Sequence, residues 1–210
     1  RARKGSFFIA ESRRHIINVI RYILYHTKKG EIKMTKMMKK EMFQTEIGYI
    51  KNPKYAENIG IIIDLLPDYF FEVPASSTGK YHPKFSLGEG GLVRHTKSAV
   101  RIAHELLGNN SLFNTFTSDE KDMMIAALLV HDGLKSGLVK SEYTVFEHPL
   151  LMSKFIQDNR SKLTLDDSEI ELICSVIETH MGEWTRDYKG NEVLEKPKTK
   201  YQNNQQKQHE

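Results

Sequence analysis

Residues 117–135 read TSDEKDMMIAALLVHDGLK, an apolar run that ends in an adjacent histidine and aspartate. Thr117 followed by Glu120 matches a capping box, in which each side chain bonds the other residue's backbone N–H, and this predicts a helix that begins there. Apolar residues continue the helical pattern as far as His131: Met123, Ala127, Leu128 and Val130. His131 and Asp132 are therefore expected at the end of an apolar helix, where one rigid turn offers a nitrogen and a carboxylate to a divalent metal ion.

The sequence on both sides of this stretch predicts further helices. The expected helices cover 43–66 with a break at Asn52-Pro53, 92–108, 118–131, 149–158 and 168–182. Ser168 with Glu171 forms the expected capping box of the last helix, and the Pro-, Gly- and Ser-rich stretch 73–91 is expected to be a loop. A strand pattern competes only at 143–146. We therefore predict an all-α fold, a compact bundle of about six to eight helices.

Charge is distributed unevenly along the 210 residues. The net charge is +4 overall, but residues 1–33 carry nine Lys or Arg and two Glu, so the remaining chain is mildly acidic. Long nucleic acids need basic residues clustered on the folded domain, so this balance favours a small substrate over a long polymer. No apolar run is long enough to cross a bilayer, so no membrane partner is expected. The single cysteine, Cys174, is expected to be a buried reduced thiol in a cytoplasmic protein.

The two ends of the chain differ from its middle in composition. Residues 1–33 are basic and precede a cluster of methionines, and we expect Met34 to be the natural start. The alternative is an amphipathic helix at 16–25 that packs on the domain. Residues 34–196 form the predicted domain, and the polar stretch 197–210 is expected to be disordered.

Four short histidine motifs follow one another along the helical part of the chain. They read GGLVRHT at 90–96, LLVHDGLK at 128–135, EHP at 147–149 and ETHMG at 178–182. Four motifs in a shared order arise by chance much less often than any single one. This order resembles the HD superfamily of metal-dependent phosphohydrolases over about residues 70–185. The nearest likeness is to the HD domain of bacterial 3′-to-5′ exoribonucleases.

The resemblance implies an HD domain whose metal centre has five ligands: His95, His131, Asp132, His148 and His180. The first three would hold one divalent ion, and Asp132 would bridge to a second ion held by the last two. Manganese, iron, nickel and magnesium are the expected kinds of metal. Two such ions about 4 Å apart activate a shared water and neutralise the phosphoryl group. Asp132 and Lys135 are thus the expected catalytic residues, with the Lys135 ammonium stabilising phosphate oxygens.

The resemblance and the charge balance together predict an enzyme that hydrolyses a phosphoester or phosphoanhydride of a nucleotide or short oligonucleotide. The alternative is a degenerate HD module that binds metal or nucleotide without turnover. Two departures from the family pattern bear on this choice. The glycine after the HD pair is shifted by one position, to Gly133, and the final aspartate ligand has no counterpart except Asp187, only seven residues after His180.

Other polar and aromatic residues could line the site. His82, Lys80 and Arg94 are candidate substrate contacts. A solvated face explains the two basic residues as well, and the alternative for His82 is a turn histidine with no role. Trp184 lies about one helical turn after His180 and could stack on a base. Packing in the core is the ordinary alternative for this tryptophan.

Overall fold

The computed structural model describes residues 36–80, 82–109 and 114–196. This part of the chain contains seven α-helices: α1 (Lys36–Glu41), α2 (Gln44–Ile47), α3 (Pro53–Leu65), α4 (Gly91–Gly108), α5 (Ser118–Val130), α6 (His148–Asp158) and α7 (Asp167–Glu178). It also contains three short 3₁₀ helices: Asp68–Phe71, Lys84–Ser86 and Arg160–Lys162. No strand forms among these residues, so the predicted all-α class is confirmed. The expectations for 1–33 and 197–210, including Met34 as the start, lie outside the described residues.

Helix α5 lies at the centre of the described bundle. It packs against α3, α4 and α7, and α7 also packs against α6. Because neighbours cover α5 on several sides, its buried apolar residues spread around the helix instead of forming one stripe: Met123, Ile125, Ala126, Ala127, Leu129 and Val130. The residues that follow α5 therefore emerge among the other helices and not at an outer edge.

Most of the predicted helix boundaries are confirmed. The capping box of Thr117 and Glu120 opens α5. Helix α3 begins at the predicted Asn52-Pro53 break, with the Asn52 side chain as its N-terminal cap. Helix α4 ends at Gly108, as the apolar spacing indicated.

Several local predictions differ from the structure. The helix expected before the Asn52-Pro53 break is only the short α2, and α7 ends at Glu178 and not near residue 182. The capping box of α7 is formed by Asp166 and Glu169, not by Ser168 and Glu171. Both pairs have the same spacing, so the pattern alone could not separate them. The segment 143–146 is a loop, because the described residues hold no other strand with which it could pair.

Two further predictions concern the single cysteine and the absence of a membrane-spanning segment. Cys174 on α7 is a free and buried thiol, as predicted. Its burial raises the pKa of this thiol and so disfavours the reactive thiolate. None of the described helices is both long and apolar enough to cross a membrane.

Candidate metal centre

All five predicted metal ligands lie together in the structure. They come from the ends of four helices: His95 in the first turns of α4, His131 and Asp132 directly after α5, His148 at the start of α6, and His180 in the turn after α7. The five side chains form two groups that share one carboxylate. The first group is His95, His131 and Asp132, and the second group is Asp132, His148 and His180.

The two oxygens of Asp132 face different histidines. Oδ2 lies 3.4 Å from Nε2 of His131 and 3.6 Å from Nε2 of His95. Oδ1 lies 3.0 Å from Nε2 of His148 and 3.6 Å from Nε2 of His180. Each carboxylate oxygen is therefore surrounded by two imidazole nitrogens from separate elements.

Backbone carbonyls set the orientation of three of these rings. Nδ1 of His131, His148 and His180 lies 2.7 Å from the carbonyl oxygen three residues earlier in each case: Leu128, Val145 and Ile177. A carbonyl can only accept a hydrogen bond, so Nδ1 carries the proton and donates it. This leaves an Nε2 lone pair directed at Asp132, the arrangement found for histidines that bind metal ions.

Burial and charge prepare the same side chains for metal binding. Burial lowers the pKa of His131 to about 4, and burial likewise lowers the pKa of His95, so both imidazoles are neutral near pH 7. Asp132 is 2% exposed. This burial alone raises its pKa, but His131 and the Lys135 ammonium outweigh it and hold the pKa well below the usual range. The centre therefore combines neutral nitrogen donors with an ionised carboxylate.

These residues fit a divalent transition-metal ion. Imidazole suits zinc, copper, iron and nickel, whereas magnesium and calcium prefer oxygen ligands. Four imidazoles around one carboxylate therefore favour the transition metals among the expected ions. Oδ1 of Asp132 is buried and receives no hydrogen bond from the described residues, as expected for an atom whose partner is a cation.

Lys135 and the turn after α5 complete the centre. The Lys135 ammonium lies 2.7 Å from Oδ2 of Asp132. The turn continues to Gly137, whose φ of 89° lies in the left-handed region that favours glycine. Tyr69 donates a hydrogen bond to the Gly137 carbonyl at 2.5 Å, and burial raises the pKa of this phenol to about 12. Tyr69 was not predicted from the sequence, because the apolar run around it gave no sign of a polar task.

The predicted substrate contacts have different surroundings. Lys80 is exposed in the loop before α4. The ring of His82 meets that of His95 edge-on, with centroids 4.7 Å apart, so His82 does lie beside the centre. Its pKa falls to about 4, because of burial and then of the Lys135 charge. Arg94 instead anchors its own loop, since its guanidinium donates to the carbonyls of residues 85, 87 and 89.

Two residues after α7 lie differently from the sequence expectations. Asp187 accepts hydrogen bonds from the backbone of Lys189 and from Asn191 within its own turn, and it belongs to neither ligand group. The structure thus gives no support to Asp187 as a substitute ligand. Trp184 is 70% exposed, so packing in the core, the ordinary alternative, is wrong for this residue.

Comparisons with protein-family models, with curated proteins and with solved structures gave no match for this chain.

Proposed function

We propose that this protein is a metal-dependent hydrolase of the HD type that cleaves a phosphoester or phosphoanhydride bond. The observation that carries the proposal is the convergence of four histidine Nε2 atoms on the buried Asp132 carboxylate, at 3.0 to 3.6 Å. Nitrogen and carboxylate ligands of this kind hold ions that activate water for hydrolysis. The order of the four histidine motifs supports the same class.

Each residue of the centre has a task in this proposal. When bound, divalent ions lower the pKa of water and offset the charge of a phosphoryl group. The Asp132 carboxylate and the imidazoles bind the ions, and the backbone carbonyls keep three Nε2 lone pairs free to do so. The Lys135 ammonium supplies a positive charge beside the centre, where it stabilises phosphate oxygens.

The substrate that we propose is a nucleotide or short oligonucleotide. Trp184 lies in the segment after α7 that also carries His180, and it exposes most of its indole, which is therefore available to stack on a base. The chain after residue 33 is mildly acidic. A long polymer would draw on many lysine and arginine contacts to its backbone, so this composition favours a small substrate.

Metal analysis followed by a substrate screen tests the proposal. The purified protein is analysed for metal, and nucleotides are screened for phosphate release with manganese, iron, nickel, zinc or magnesium added. Asp132→Asn, which has nearly the same size and no charge, is the matched variant, and circular dichroism checks that it is folded under the assay conditions. We expect metal and phosphate release in the wild type and neither in the variant. Equal release by both proteins would overturn the proposal.

A separate variant tests the substrate class. Trp184→Ala should raise KM for a nucleoside monophosphate and leave KM for ribose 5-phosphate unchanged, because only the nucleotide has a base to stack. An equal effect on both substrates would count against base stacking by this tryptophan.

The second candidate is a module that binds metal or nucleotide without turnover. This candidate is favoured by the composition of the metal centre. Asp132 is the only carboxylate in the two ligand groups that the described residues form. Metal and nucleotide binding without phosphate release under any of the added ions would support this candidate over the hydrolase.

A further inference from the structure

The two oxygens of Asp132 differ in their other contacts. Oδ1, which belongs to the second group, is buried and receives no hydrogen bond from the described residues. Oδ2, which belongs to the first group, already contacts the Lys135 ammonium at 2.7 Å. The Lys135 ammonium thus lies on one side of the carboxylate, and the other side faces the imidazole nitrogens of His148 and His180.

The second group already has the spacing of ligands around a single ion. His148 Nε2 and His180 Nε2 lie 3.3 Å apart, and their distances to Asp132 Oδ1 are 3.0 and 3.6 Å. Ligands about 2.1 Å from an ion lie about 3.0 Å apart at octahedral angles and about 3.4 Å apart at tetrahedral angles. The second group therefore needs little rearrangement to bind an ion.

The first group has a similar spacing, with Nε2 of His131 and His95 3.4 and 3.6 Å from Asp132 Oδ2, but Lys135 already contacts that oxygen. Its ammonium and an entering ion would compete for the same oxygen of Asp132, and two cations at that distance repel each other. The side chain of Lys135 is largely buried, so water screens this repulsion poorly. An ion that enters the first group must displace the ammonium from Oδ2.

We propose that the second group binds the first divalent ion, and that Lys135 weakens the first group until its ammonium leaves Asp132 Oδ2. This inference rests on the metal binding proposed above. At limiting metal, the second group should therefore be more fully occupied than the first, and Lys135 causes this difference in occupancy.

Cobalt titrations of isolated groups test this order. His180→Ala leaves only the first group complete, and His95→Ala leaves only the second. Both side chains are partly exposed, so their removal should spare the fold. Binding of Co²⁺ is followed by visible absorption and calorimetry, and the fold of each variant by circular dichroism. We expect tight binding in His95→Ala and weak binding in His180→Ala.

Substitution of Lys135 in each background then tests its role. Lys135→Gln should strengthen Co²⁺ binding about tenfold or more in His180→Ala. This factor corresponds to the free energy of one hydrogen bond to a charged group, which the ion no longer has to break. In His95→Ala the same change should have a much smaller effect. Lys135→Arg keeps the charge and should not strengthen binding in either background. Lys154→Gln alters an exposed lysine and should leave both affinities unchanged.

The outcomes separate this inference from the proposed function. Equal strengthening in both backgrounds would indicate a general charge effect and overturn the proposal, as would tight binding in His180→Ala. If that variant does not fold, His180→Gln replaces it. Absence of Co²⁺ binding to the wild type would instead overturn the metal dependence itself.

Discussion

His148 and His180 place their Nε2 atoms 3.3 Å apart, while Nδ1 of each ring faces a backbone carbonyl. With both Nδ1 protons committed to those carbonyls, two lone pairs meet unless a cation or a further proton lies between them. The folded chain should therefore gain stability from an ion that the unfolded chain binds less well.

We expect Zn²⁺ or Co²⁺ to raise the melting temperature of the protein relative to a chelator-treated sample. An ion at a thousand times its Kd stabilises a fold by about 4 kcal/mol. Differential scanning calorimetry over a series of metal concentrations measures the effect. His148→Ala should lose most of the shift, and His104→Ala should keep it, because His104 stacks on Tyr49 and belongs to neither group. Equal shifts in both variants would contradict the assignment.

The buried pair of Asp132 and Lys135 gives a second prediction. Removing one partner leaves the other charge buried without compensation, so Asp132→Asn should destabilise the metal-free protein by about 3–5 kcal/mol. Lys135→Met combined with Asp132→Asn should restore much of that loss. Urea unfolding of both single variants and the double variant measures this coupling. Additive effects would show that the two charges do not depend on each other.

The sequence predicted the helices that carry the ligands better than it predicted how those helices pack together. His131 and Asp132 follow a helix whose capping box and apolar spacing are local signals, and the structure confirms that helix. The approach of His148 to His180 is set by the packing of α6 against α7. That packing depends on which faces of the two helices meet, and spacing along one chain does not specify this.

The errors that concern Trp184 and Asp187 have a common physical origin in the residues after α7. The pattern favoured a helix as far as residue 182, but α7 ends at Glu178. Beyond that point the backbone turns, so the helical spacing between His180 and Trp184 no longer indicated a shared face. Trp184 is consequently exposed, and Asp187 is held by its own turn.

Arg94 gives a prediction that separates loop anchoring from phosphate binding. Its guanidinium donates to three backbone carbonyls in the loop before α4. Arg94→Met should lower the free energy of unfolding by about 1 kcal/mol, because three hydrogen bonds from a charged donor are lost and water replaces them at these exposed carbonyls. Metal content and KM should not change. A large rise in KM with unchanged stability would instead identify Arg94 as a phosphate contact.

Glu169 gives a prediction about pH. Burial raises its pKa, but the hydrogen bonds from Lys54 and from the Asp166 backbone outweigh this and lower it. A carboxyl with a lowered folded pKa adds stability above its unfolded pKa of about 4.3, and that stability is lost as the pH falls. From about pH 6 to about pH 3 the wild type should therefore lose more stability than Glu169→Gln. Urea unfolding at each pH measures the difference, with the exposed Asp158→Asn as control.

Gly133 gives the last prediction, because it lies directly after the shared ligand Asp132. A Cβ atom on Gly133 would lie 2.7 Å from Leu66 Cδ2, 2.8 Å from Met152 Sδ and 3.0 Å from the carbonyl oxygen of residue 130. The side chains can move slightly, but the carbonyl belongs to the last turn of α5. We expect Gly133→Ala to cost about 1–3 kcal/mol through overpacking. It should also weaken Co²⁺ binding, since the strain acts on the turn that carries Asp132.

Gly108→Ala is the matched control for this substitution. Among the residues that the structure describes, no heavy atom lies within 4 Å of a Cβ at Gly108, the last residue of α4. An alanine there should leave stability unchanged or raise it by up to about 1 kcal/mol. Chemical unfolding and cobalt titration of the two variants compare the closely packed site at Gly133 with the open site at Gly108. If Gly133→Ala unfolds like the control and binds Co²⁺ like the wild type, the ligand turn accepts a side chain, and its glycine is not what positions Asp132.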